Sequence, residues 1–122
     1  MADDRTVVHE LMLNAVAFAM IAEAIRALSV DRLKFQRLKD VVIESVNHPP
    51  RPTDKQVELF KNQLPLDGRV RIFLRLPTSL NARLDQLKSD LCAHLSDNCG
   101  VRETIVFCAM VIAQRHKQGC QP

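Results

Sequence analysis

Residues 69–77, Arg-Val-Arg-Ile-Phe-Leu-Arg-Leu-Pro, alternate without a break. Val70, Ile72, Leu74 and Leu76 fall on one side of an extended chain, and Arg69, Arg71, Phe73 and Arg75 on the other. A two-residue period marks a strand with one buried face. Its polar face holds three arginines and no acid, a choice suited to phosphate oxygens and to the acceptor pair of guanine. The remaining sequence reads as helix and loop, so this strand has no visible partner. An isolated strand is not stable. The expectation is therefore that it pairs with its own copy in a second subunit.

The 122 residues suit one domain, or one small domain plus an appendage, and a 47% hydrophobic content permits a core. Trp and Tyr are absent, which argues against a base-stacking platform for single strands. Net charge is +3, and all of the excess lies downstream. Residues 1–64 hold nine Lys/Arg and nine Asp/Glu, whereas residues 65–122 hold eight against five. Cys92, Cys99, Cys108 and Cys120 form no CxxC pair, and the N-terminus reads Ala2-Asp3-Asp4, acidic where a signal peptide is basic. These features predict free thiols and a cytoplasmic setting. The apolar run from Leu11 to Ile25 is broken by Asn14 and Glu23, so no membrane span is expected.

Along the chain, Val8, Leu11, Ala15, Phe18, Ala22 and Ile25 recur at three- and four-residue steps and predict a helix over residues 5–28. Ser29 caps a second helix to about residue 46, with Phe35, Leu38, Val42 and Val46 as its stripe. Together they form a helical hairpin over 1–47, read as an oligomerisation or partner-binding unit. Three prolines at 49, 50 and 52 make 48–67 a linker, with a short helix near 54–62 capped by Thr53. After Pro77, Leu80, Leu84, Leu87, Leu91 and Leu95 mark an amphipathic helix. A loop at 96–100 precedes a last helix in which Ile105 to Ala113 are all apolar. A helix apolar on every side needs cover on every side, again suggesting a dimer. No internal repeat is evident.

Strand, leucine-striped helix, Gly-containing turn and apolar helix, carried by RVRIFLRLP, leucines 80/84/87/91 and NCGVRETIVFCAMVIAQR, resemble the ribbon-helix-helix (Arc/MetJ-type) DNA-binding proteins over residues 68–118. The resemblance implies a mostly α fold with one strand and two helices per subunit, dimeric, preceded here by the N-terminal helical hairpin. It implies an antiparallel ribbon from two subunits lying in the major groove of double-stranded DNA. The base-reading residues would be Arg71, Phe73 and Arg75, with Arg69 at the ribbon end. Phe73 would either touch thymine methyls or fold into the core. The start of the last helix, at Val101, Arg102 and Thr104, would hold a phosphate. Ile72, Leu74, Leu84, Leu87, Ile105, Phe107, Ala109 and Met110 would form the dimer core.

The function implied is sequence-specific DNA binding, as a repressor or accessory factor of a bacterial plasmid or phage system, by a homodimer that can assemble further on DNA. The competing reading is an all-helical adaptor or inhibitor that binds another protein without DNA. No nucleophile motif or phosphate loop points to an enzyme. A zinc site among Cys92, His94, Cys99, His116 and Cys120 lacks paired close spacing, and no metal or cofactor is expected.

Overall fold

A computed structural model describes residues 5–95 and 99–119. It contains β1 (Thr6–Leu13), α1 (Ala15–Arg32), α2 (Leu38–Asn47), α3 (Asp54–Lys61), β2 (Val70–Pro77), α4 (Thr78–Leu95) and α5 (Val101–Gly119). β1 and β2 form a two-stranded antiparallel sheet. The predicted strand is present, but its partner is not a second subunit. It is residues 6–13 of the same chain, with Val7 opposite Leu76, Glu10 opposite Phe73 and Leu13 opposite Val70.

Two expectations fall here. The N-terminal region is not a helical hairpin starting at residue 5: it begins with a strand, and its helices span 15–32 and 38–47. The fold is accordingly not a C-terminal one-strand module that needs a dimer. Thr6, Val7 and Val8 are β-branched and favour an extended chain. Inward-facing Leu11 and Leu13 are buried, while Val8 and Glu10 face outward and are exposed. Asn14 ends the strand and starts the helix, its side-chain oxygen accepting from the Ala17 N–H at 2.8 Å.

The elements repeat along the chain. Adding 63 to the bounds of α1, Ala15–Arg32, gives those of α4, Thr78–Leu95; adding it to Leu38, where α2 begins, gives Val101, where α5 begins. The central ribbon pair, Glu10 and Phe73, is separated by the same 63 positions. The chain therefore holds two strand–helix–helix units at a 63-residue spacing, and the ribbon's register has an approximate twofold axis at its central pair. Many buried positions obey the offset, among them Ile21 and Leu84, Ala24 and Leu87, Leu28 and Leu91, Val42 and Ile105, Ser45 and Cys108. So do the helix starts. The Asp40 carboxylate accepts the Arg37 N–H at 2.8 Å, and the Glu103 carboxylate accepts the Gly100 N–H at 2.9 Å. The sequence conceals this repeat because matched helix positions share burial more than size or identity, as Ala24 with Leu87 and Ser45 with Cys108.

A single chain also encloses its most apolar helix. α5, buried from Glu103 to Ile112, packs most extensively on α1 and is bordered by α2, α4 and β1. The alanines of α1, with Ala17, Ala24 and Ala27 buried, let α5 approach closely. The linker supplies the remaining cover. Phe60 of α3 is fully buried edge-on against Phe107, ring centres 5.4 Å apart. The residues assigned to a dimer interior, Leu74, Leu84, Leu87, Ile105, Phe107, Ala109 and Met110, are all buried, with Ile72 packed against them, inside one chain.

Cys92 and Cys99 are joined by a disulfide across the α4–α5 connection, so the expectation of free thiols fails for these two. Cys120 lies outside the described residues. Burial pushes the Cys108 thiol up from 9.0 to about 11, against the smaller downward pulls of the Ser45 hydroxyl and Arg115. The folded chain then holds a proton that the unfolded chain loses between pH 9 and 11, so stability falls as pH rises through that window. The loss should reach roughly 2–3 kcal/mol by pH 11. In urea titrations across this range, Cys108→Ala should show a flatter decline than wild type; parallel declines would rule out the thiol as the cause.

Candidate nucleic-acid interface

The ribbon turns one face to the helices and one away from them. Inward lie Val7, His9, Leu11 and Leu13 of β1 and Val70, Ile72, Leu74 and Leu76 of β2. His9 uses its position differently from Ile72, its equivalent in the other half: its Nε2 lies 2.6 Å from the Asn81 side-chain oxygen of α4.

Arg71, Phe73 and Arg75 are exposed on the outward face, with exposed Arg69 just before the strand. Phe73 is 61% exposed, which decides between the two positions open to it: it points away from the core. The outward face has a second half that the sequence pattern does not show, because the apolar spacing of residues 6–13 runs on into that of α1. Thr6, Val8, Glu10 and Met12 stand beside the arginine strand, Val8 opposite Arg75 and Met12 opposite Arg71. The Glu10 carboxylate lies 3.8 Å from the Arg71 guanidinium, with both side chains more than half exposed. Exposure and solvent screening make that a weak contact. Among the described residues the face thus carries the guanidinium groups of Arg71 and Arg75 and the Glu10 carboxylate, with Arg69 beside its end.

Helices flank the ribbon on both sides. α5 touches β1, and α2 touches β2. The Arg102 Nη1 donates to the Met12 carbonyl at 3.1 Å, while its Nε donates to Glu103 at 2.7 Å. Arg102 stays partly exposed and Val101 half-buried, but Thr104 is fully buried and its hydroxyl donates to the Gly100 carbonyl at 2.9 Å. Of the three residues expected around a phosphate, Thr104 is therefore turned inside, and the Gly100 N–H is taken by the chain's own carboxylate. Lys39 holds in α2 the place that Arg102 holds in α5. A lysine and an arginine thus occupy the second residue of the two flanking helices.

The end of the ribbon is tied by Thr78, whose N–H and hydroxyl both donate to the Arg5 carbonyl, at 2.8 and 2.7 Å. Among the described residues no three His, Cys, Asp or Glu side chains converge as metal ligands, and no helix is long and apolar enough to cross a membrane. Comparison with protein-family models, with curated proteins and with solved structures gave no match.

Proposed function

We propose that this chain is a double-stranded DNA-binding protein that presents the outward face of its internal ribbon to the major groove. On this reading it is a ribbon-helix-helix unit made within one polypeptide, and it regulates or marks a DNA site as an accessory factor or repressor, in the manner of plasmid and phage systems. The observation that carries the proposal is the exposure of Arg71 and Arg75 on the outward ribbon face, with exposed Arg69 just before the strand. A two-stranded ribbon fits a groove about 12 Å wide, and arginine pairs with the O6 and N7 acceptors of guanine. Arg102, at the start of α5 beside β1, and Lys39, at the matching position of α2, would supply phosphate contacts. The strand partner that required a homodimer is supplied internally, so the proposed binding unit is one chain.

The charged residues of this face give the test opposite signs. Arg75→Ala should weaken a specific site by about 1–3 kcal/mol and flatten the salt dependence of binding. Glu10→Ala removes a carboxylate from a face approached by phosphates, so it should raise affinity for random duplex. Both are read by fluorescence anisotropy over a salt series, with circular dichroism confirming the fold. If Arg75→Ala leaves duplex affinity unchanged, the arginine face is not the reader.

One observation favours a protein partner instead. Val8 and Phe73 are about half or more exposed around a central acid, a mixture also found at protein-binding surfaces. On that reading Arg75→Ala and Glu10→Ala would both leave duplex retention at the weak level of a basic protein.

A further inference from the structure

We infer that the DNA site is not an inverted repeat: one molecule, through its two unlike ribbon strands, reads a site without twofold symmetry. The inference rests on the DNA-binding reading above and adds what kind of duplex this ribbon can recognise.

The approximate twofold of the ribbon's register makes the comparison possible. Each outward position on β2 has an equivalent on β1, 63 residues earlier. Arg69 corresponds to Thr6, Arg71 to Val8, and Arg75 to Met12; no arginine has a basic counterpart. At the centre, Phe73 faces its equivalent Glu10 across the axis. Inward positions behave in the opposite way. Val7 and Val70, Leu11 and Leu74, and Leu13 and Leu76 are identical pairs, and only His9 and Ile72 differ. Three of the four inward pairs are identical where the ribbon seats on the helices, and none is identical where it faces outward.

Physical chemistry converts this difference into a site class. A symmetric ribbon offers the same groups to both halves of a site, so its best duplex is an inverted repeat, as protein symmetry is mirrored in operator symmetry. Here a base met by the guanidinium of Arg71 in one half would meet the isopropyl group of Val8 in the other. Guanidinium selects guanine, whereas an aliphatic group in the major groove favours a thymine methyl and leaves guanine acceptors unpaired. A perfect inverted repeat satisfies only one of the two. Two of the guanidinium groups, those of Arg71 and Arg75, ride on β2 and that of Arg69 directly precedes it, so guanine contacts gather along one side of the ribbon. A covalent link between halves is what lets such divergence persist: in a dimer of identical chains, every change on one strand appears on both.

The test is selection of bound fragments from a random duplex library with the full-length chain, alongside Val8→Arg/Met12→Arg, which gives β1 the arginines of β2. Mass measurement of the complex counts chains per duplex. Expected for wild type is one chain on a motif lacking twofold symmetry. For the double variant, which changes only outward side chains, the motif should move toward an inverted repeat, and the best wild-type site should lose its advantage of about tenfold or more over its symmetrised version. A wild-type motif that is a perfect inverted repeat, or the same motif from both proteins, would overturn this inference while leaving DNA binding intact. Recovery of no duplex above background by wild type would overturn the DNA reading and this inference with it.

Discussion

Phe107→Asp is expected to leave the chain without a cooperative fold at 25 °C. Phe107 is fully buried in α5, against Phe60 and the facing helices. Aspartate there loses the aromatic contacts, which cost about 3–5 kcal/mol for truncation to alanine. It also places a carboxyl group where the neighbours are apolar, and an unpaired polar or charged group costs several kcal/mol more. A domain of this size has about 5–15 kcal/mol in all. The sum exceeds or consumes that reserve. Far-UV circular dichroism should show lost helix and no thermal transition, and a sigmoidal melt near the wild-type midpoint would contradict the placement of α5. Because the ribbon closes within the chain, wild-type melting should not depend on protein concentration. An obligate dimer would show such dependence.

Gly68→Ala should cost about 3 kcal/mol or more, the upper end of what forced overpacking does. An added Cβ would stand 2.5 Å from the Leu13 carbonyl oxygen and 2.6 Å from the Asn14 nitrogen, and against the Asn14 Cα. These are backbone atoms. They cannot yield cheaply, because the Asn14 N–H donates to the Leu66 carbonyl at 2.8 Å and the Asn14 side chain donates to the Pro65 carbonyl at 3.0 Å. The glycine is needed for close approach of the linker to the β1–α1 junction, where it sets the register of the ribbon. Urea midpoints for Gly68→Ala and wild type provide the comparison, and a difference below about 0.5 kcal/mol, the usual scatter of a surface change, would show that the linker end does not bear on that junction.

Much of the C-terminal half was readable because its period is clean. β2 has alternating Val, Ile, Leu and Leu, α4 has leucines at three- and four-residue steps, and both turned out as expected, as did the capped helix α3. β1 was not readable in the same way. Val8 and Met12 put apolar residues on its outward side, blurring the two-residue period, and the alanine-rich α1 follows with only Asn14 between them. The two together carry apolar residues at a continuous helical spacing. Two signals were nonetheless present: the β-branched run at 6–8, and the match of Leu11 and Leu13 with Leu74 and Leu76 at a spacing of 63. On the candidate interface, the arginines were legible and Glu10, Val8 and Met12 were not, since their face exists only once β1 is known to be a strand.

By itself the amino-acid order determined which segments carry buried stripes, where the arginines fall on their strand, and that a lone strand demands a partner. Which partner was a tertiary matter. Pairing strength depends on cross-strand contacts and on the entropy of bringing the ends together, and these are properties of distance in space rather than of any local pattern. A strand tethered to the same chain wins over a second molecule because its linker, pinned by Phe60 and Gly68, already holds it in place.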